Sequence, residues 1–296
     1  MSATRHWVMG AGLFLLLSAL AHETAAQDRL PIIDMHQHTI WGSDHTVQST
    51  LAVMDELNIV TAFLSGPLEE VYDWAKVAPD RFIPSPMIPS QKYHVDGGDD
   101  FHDIEKLRAE YLSGKLHGMG EIWTQYFGVP PNAPGLEPYF ALAEELDLPV
   151  LIHIEGIGAP EPNFRLSAGH PLLLEEVLVR HPKLRIYLEN AGYPFLHEMI
   201  ALMYQYPQVH ADLSTITRVI PREAFHDYLR ALVRAGYGKR LMFGTDSPSW
   251  KITQTVEAIE SATFLTDEQK RDIFYNNAAE FLRLSDEVIA THHNRK

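Results

Sequence analysis

The chain of 296 residues contains no cysteine. That excludes a thiolate nucleophile, a thiolate metal ligand, a disulfide and lipid attachment through sulfur. Positive charge is scarce: 24 Lys and Arg stand against 39 Asp and Glu, a formal net charge of −15. Nucleic-acid binding needs a basic surface, so this balance argues against it. No Gly-x-Ser-x-Gly elbow occurs, which removes a serine hydrolase of that kind. No glycine-rich phosphate loop follows the first strand-like run, so the dinucleotide-binding signature is missing. After residue 27 there is no low-complexity stretch and no flexible linker.

The N-terminus is different. Val8 to Leu20 is apolar but too short for a comfortable membrane span. Arg5 and His6 precede it, and Thr24-Ala25-Ala26 offers a small-x-small cleavage site. Residues 1–26 are expected to be a secretory signal cut near Ala26. The mature chain would then be exported, to the periplasm, without stable membrane association. Hydrophobic residues make up 46% and charged residues 21%, ordinary for a domain with a sizeable core.

Short apolar runs alternate with longer amphipathic ones along the mature chain. Strands are expected at Pro31–His36, Ile59–Leu64, Arg81–Met87, Leu116–Ile122, Pro149–Ile154, Leu184–Leu188, Val209–Leu213 and Arg240–Gly244. Helices are expected between them, and a last one over Asp267–Leu282 with Thr266 as its N-cap. Eight strand–helix units in one domain, residues 27–296, point to an α/β fold, the (β/α)8 TIM barrel. An open doubly wound sheet is the alternative, and the unit count favours the barrel.

Ligand-type residues recur at the strand ends. The first strand ends in Asp34-Met35-His36-Gln37-His38. Period-two alternation would put Asp34, His36 and His38 on one face, two imidazoles with a carboxylate to orient one of them. Glu121 ends the fourth run, His153 the fifth and Asn190 the sixth, and Asp246 follows the eighth. Polar side chains at apolar strand tips are costly unless they coordinate something or bond each other. In a barrel these tips share one mouth. His210 and Asp212 alternate on the seventh run and read as a barrel-interior or surface pair.

With Asp34-Met35-His36-Gln37-His38, Gly120-Glu121, His153, Ala191-Gly192-Tyr193-Pro194 and Gly244-Thr245-Asp246 in this order, the chain resembles the amidohydrolase superfamily. Within it, the chain is similar to the amidohydrolase-related branch that includes lactonases and non-oxidative aromatic-acid decarboxylases. The resemblance implies a first divalent metal on His36, His38, Glu121 and Asp246, and a second on Glu121 and His153. Zinc is the expected ion, with manganese and iron open. Such families usually carry histidine where Asn190 stands, and a neutral carbonyl oxygen is a poor ligand beside imidazole. Glu189 is expected to point the other way. One tight site and at most a weak second one follow.

A divalent ion lowers the pKa of bound water and polarises a carbonyl. Asp246 is placed to take the water proton and pass it to the leaving group, with His153 as ligand or substrate-polarising imidazole. Hydrolysis of an amide, lactone or other carboxylic derivative of a small molecule follows. Trp123, Tyr126, Tyr193 and Trp250 suggest an aromatic pocket, with Asn190 beside it. Arg165 and Arg218 lie on loops from which they would clamp a carboxylate. Two alternatives stay open: a metal-dependent decarboxylase, and an inactive metal-containing binding protein favoured by Asn190. The oligomeric state stays open as well.

Overall fold

The computed structural model describes residues 29–90, 101–158 and 161–295. The expected signal segment lies outside the described residues. Eight parallel strands carry the fold: β1 Ile32–His38, β2 Ile59–Gly66, β3 Phe82–Pro86, β4 Met119–Ile122, β5 Pro149–Ile152, β6 Arg185–Leu188, β7 Val209–Asp212 and β8 Leu241–Met242. Between them lie α1 Val47–Leu57, α2 Leu68–Val77, α3 Ile104–Leu112, α4 Glu137–Glu145, α5 Glu175–Arg180, α6 Leu196–Gln205, α7 Ile216–Val219 and α8 Arg222–Arg234. After β8 comes α9 Ile252–Glu260.

Ladder pairing runs β1-β2-β3 and β4-β5-β6-β7-β8. Two seams join these sets. At one, Ile88 N donates to Glu121 O at 2.8 Å and Trp123 N to Ile88 O at 2.9 Å. At the other, Met35 N donates to Phe243 O at 2.9 Å and Asp246 N to His36 O at 2.7 Å. Backbone hydrogen bonding therefore passes round the whole ring, and the fold is the (β/α)8 barrel rather than an open sheet.

The core has two parts. Ile32, Leu64, Ile122, Val150 and Ile186 face outward and pack on the helices through Met54, Trp74, Leu229 and Ile259. Ile33, Met35, Val60, Phe63, Leu151, Tyr187 and Met242 come from opposite sides of the ring and meet inside it. Fully burying one such aliphatic side chain stabilises by about 1.5–3 kcal/mol. Tyr187 also donates its hydroxyl to Met35 O at 2.7 Å across the interior.

The C-terminal helices close this end. Thr266 caps α10 (Asp267–Arg271) in a capping box with Gln269. The single expected helix is interrupted by a π turn, Asp272–Asn276, before α11 (Asn277–Phe281). Within that turn the Ile273 carbonyl accepts Phe243 N at 2.8 Å, which ties the element to the end of β8. A further helix, α12 (Asp286–Asn294), is capped by Ser285 and was not expected from the sequence. Among the described residues no helix is long and apolar enough to cross a membrane.

Candidate metal centre

β1 delivers both histidines, by a route that the simple alternation misses. Its pairing with β2 slips between Asp34 and Gln37. Ile33 and Met35 pack in the inner cluster. Asp34 therefore does not share a face with the two rings. Its carboxylate instead accepts His36 N at 3.0 Å, Thr245 N at 2.9 Å and Thr245 Oγ1 at 2.7 Å, lacing β1 to the segment after β8. Burial pushes this carboxyl up to about 7 against those hydrogen bonds.

The group that orients His36 is Asp212, whose Oδ2 lies 3.0 Å from His36 Nδ1. Asp212 Oδ1 is itself fixed by Ser214 Oγ at 2.6 Å and by the backbone N of Asn190 and Ser214, each at 3.0 Å. His38 donates from Nδ1 to Ser65 O at 3.3 Å. Both rings thus turn Nε2 inward, 3.0 Å apart. Two imidazoles cannot both donate at that separation, and a cation between their lone pairs resolves the contact.

Glu121 reaches the same point. Its Oε2 is 3.0 Å from His38 Nε2 and 3.5 Å from His36 Nε2. Gly120 before it has φ +108, and a Cβ there would meet Leu151 O at 2.2 Å. Only glycine allows the chain to present Glu121 in this way. Asp246 Oδ1 is 3.3 Å from His38 Nε2 and 3.8 Å from His36 Nε2. Asp246 adopts φ +41, a strained backbone for a side-chain-bearing residue. Thr215 Oγ1 donates to its Oδ2, and Arg218 donates to its carbonyl and to Ser247 Oγ.

His153 and Glu189 complete the cluster. His153 Nδ1 is 2.9 Å from Glu121 Oε1 and lies against Glu189 Oε2. Its Nε2 is 3.3 Å from Glu155 Oε1. The expectation that Glu189 points away is corrected. β6 ends at Leu188, Tyr187 faces inward, and Glu189 is next on that face. Asn190 is fully buried and is not a wall of the cavity. It adopts φ +51, and its amide donates to Glu189 and Glu155 while its Oδ1 accepts Ile216 N at 2.9 Å. It holds the carboxylates rather than touching a ligand.

The charge balance is lopsided. Glu121, Glu155, Glu189 and Asp212 are buried, and Asp246 is largely so, around three imidazoles. Burial alone pulls His38 down, but hydrogen bonds with Asp246 and Glu121 lift it to about 9. Burial raises Glu121, yet His153, His36 and His38 hold it well below the usual carboxylate range. Burial, then the charge of Glu189, pushes Glu155 well up, and burial takes Glu189 to about 7. Glu189 Oε2 and His153 Nε2 are buried without a well-directed hydrogen bond. An excess of buried carboxylate, inward lone pairs and orphaned donor atoms fit a divalent cation. The candidate ligand atoms of His36, His38 and Glu121 all lie within 4.8 Å of one another.

Above the cluster opens a cavity of about 990 Å³. Trp41, Trp123, Tyr126, Phe127 and Trp250 form its aromatic walls, with Arg218 and Thr215 near Asp246. Tyr126 and His153 have ring centroids 4.9 Å apart. Two expected wall residues lie elsewhere. Arg165 turns back onto its own loop, donating to Pro162 O at 3.0 Å and Phe164 O at 2.9 Å. Tyr193 packs against Tyr228 at 5.1 Å between centroids, outside the cavity lining. Trp41 and Glu155 were not singled out in the sequence, and Glu189 and Asp212 were read there as lying outside the site. The available signal for two of them was parity: Glu155 follows His153 by two residues, and Glu189 follows Tyr187 by two.

Residues 43–284 match the family model described as Amidohydrolase. A curated relative, Protein fluG of Emericella nidulans, is 28% identical over 98 residues. That match takes in 33% of this chain and only 11% of the relative, so the chain spans about a tenth of it. Among solved structures, a probable 2-pyrone-4,6-dicarboxylic acid hydrolase from Acinetobacter baumannii superimposes with TM-score 0.63 at 16% identity. The match covers 86% of this chain and 100% of that one. A 2,6-dihydroxybenzoate decarboxylase from Rhizobium gives TM-score 0.59 at 15% identity, over 86% of this chain and 99% of that one. At such identities the structures share the fold.

Proposed function

The chain belongs to the amidohydrolase family, and from that premise we propose that it is a metal-dependent hydrolase of a small carboxylic derivative: a lactone, ester or amide. The observation that carries this reading is the convergence of His36, His38, Glu121 and Asp246 at the floor of an aromatic-walled cavity. A divalent ion on these four residues, zinc with manganese or iron as alternatives, would supply a water of lowered pKa and a Lewis-acid contact to a carbonyl oxygen.

The chain's own groups do the rest. His36 and His38 keep Asp246 ionised below the usual carboxylate range despite burial. Asp246 then accepts a proton from the attacking water and returns it to the leaving group. Thr215 and Arg218 fix its orientation from the far side. Arg218 commits Nε and Nη2 to Ser247, Thr215 and the Asp246 carbonyl, which holds this loop, and from the cavity wall it is placed to meet a substrate carboxylate. Trp123, Tyr126 and Trp250 enclose a planar substrate portion and exclude water around it.

The aromatic walls also suit a metal-dependent decarboxylase of an aromatic acid, the activity named for the Rhizobium neighbour. The binding-protein alternative loses its support, because Asn190 positions two carboxylates and is not a lost ligand. A panel of aromatic lactones, esters, amides and acids, tested with metal-loaded protein, separates the readings. Hydrolysis supports the first. Release of carbon dioxide from an acid without hydrolysis of the others overturns it in favour of the second.

We also propose that the mature chain is exported after loss of residues 1–26. An N-terminus near Gln27 on the exported protein supports this, and a retained leader on a cell-associated protein contradicts it.

A further inference from the structure

Resting on the hydrolase reading and deepening it, the structure assigns His45 as the positioning residue that fixes Trp250 in the cavity wall and so sets a preference for aryl over alkyl substrates. His45 lies between β1 and α1, is only 4% exposed and does not itself line the cavity.

Both of its ring nitrogens are committed. Nε2 is 2.6 Å from His38 O, a carbonyl that can only accept, so Nε2 carries the proton. Nδ1 is then the acceptor, and Ser249 N donates to it at 3.1 Å. Thr50 Oγ1 stands further off, at 3.5 Å. Ser249 Oγ also donates to Ser49 Oγ at 3.1 Å, and Ser49 completes the capping box of α1 with Thr46. Lys251 N donates back to Pro248 O at 2.8 Å. The short turn Ser249–Lys251 after β8 is thus tied to the start of α1, with Trp250 between its two anchored residues.

The imidazole ring extends the same support. Its centroid is 5.2 Å from that of Trp74, a core residue of α2, and 6.5 Å from that of Trp250 at 79°. Trp250 is 54% exposed, yet it lines the cavity. An indole so exposed has little packing of its own, so its place depends on the turn that carries it. A wall fixed before the ligand arrives loses no freedom on binding. A flat ring covers more of that wall than a methyl group does, and aromatic contact adds to the area term.

The test titrates benzoate and acetate separately into the zinc-loaded full chain and reads the ratio of the two Kd values by isothermal calorimetry. Wild type is expected to hold benzoate at least about tenfold more tightly than acetate. His45→Gln keeps an amide donor for His38 O but removes the ring acceptor of Ser249 N. It is expected to cut the preference about threefold or more, as is Trp250→Ala. The double variant is expected to lose no more than Trp250→Ala alone, because both changes remove one wall. Circular dichroism and zinc content check that each variant is folded and loaded. If His45→Gln does not fold, Ser249→Pro deletes the same hydrogen bond from the donor side. Ser249 is the first residue of a helical turn, where proline is tolerated. A wild-type preference retained by the folded His45 or Ser249 variant overturns the assignment. So do losses that add in the double variant, or a wild type without benzoate preference. These ratios need no turnover, so a wild type that hydrolyses nothing overturns the hydrolase reading separately.

Discussion

Asp212 Oδ2 lies 3.0 Å from His36 Nδ1, and this contact decides which ring nitrogen faces the ligand cluster. With the Nδ1 proton committed to Asp212, Nε2 presents a lone pair toward His38, Glu121 and Asp246. Partners of this kind set the tautomer and basicity of a ligating histidine. Asp212→Asn keeps the shape but replaces the charged acceptor with a neutral amide. It is expected to weaken zinc binding roughly 10–100-fold, read by competition with a chromogenic chelator. Unchanged affinity would show that His36 does not depend on Asp212.

Asn190 is the keystone of the acidic side. Its amide serves Glu189 and Glu155, and its carbonyl oxygen accepts Ile216 N and Ser214 Oγ. Asn190→Ala leaves several of these buried groups unpaired at once. Each such loss costs about 1–3 kcal/mol, so the midpoint of urea unfolding is expected to fall clearly. A variant as stable as wild type would mean that these groups find other partners.

Much of this was legible in the sequence, and the failures have physical causes. The eight strand–helix units survive because strand periodicity and helix periodicity differ strongly. His36, His38 and Asp246 stand out because charged or imidazole groups rarely end apolar strands. Glu189 was misplaced because the end of β6 is not readable to one residue, and a one-residue shift reverses every face. Asp34 was misplaced by the register slip between it and Gln37. Arg165 and Tyr193 sit on loops, where side-chain direction depends on turns that carry little sequence signal. The seam through Ile88 and Glu121 is a tertiary contact that no local pattern announces.

Metal also bears on stability. Without a cation, Glu121, Glu189 and Glu155 repel one another inside the protein, as the upward push of Glu189 on Glu155 shows. An ion that binds only the folded chain stabilises it by mass action, about 2.7 kcal/mol at a hundredfold excess over Kd. Chelation is expected to lower the Tm by several degrees, and zinc or manganese to restore it, in differential scanning calorimetry. A Tm indifferent to chelator and metal would contradict a tightly held ion.

His210 gives a pH dependence independent of the metal centre. It stacks on Phe281 with centroids 4.7 Å apart. Burial, with Arg240 nearby, pulls the ring down to about 4 even though Nδ1 donates to Gln208 O. Above the ordinary value near 6.5 the ring is neutral in both folded and unfolded chains, and its contribution to stability is complete. As pH falls from about 6.5 to about 4, the unfolded chain takes a proton that the folded one refuses. Stability is then lost by up to about 1.4 kcal/mol per pH unit. His210→Gln is expected to flatten the difference in unfolding free energy between pH 7 and pH 4.5. An identical slope in variant and wild type would remove His210 from the account.

The most direct measurement is hydrolysis of an aromatic lactone and ester panel by chelator-stripped protein, before and after zinc or manganese is restored, beside folded Asp246→Asn. The account predicts no turnover when stripped, recovery with the ion, and loss of at least about a thousandfold in Asp246→Asn, the scale of a positioned acid–base group together with a ligand. Turnover that survives stripping, or that survives the Asp246 substitution, would contradict it.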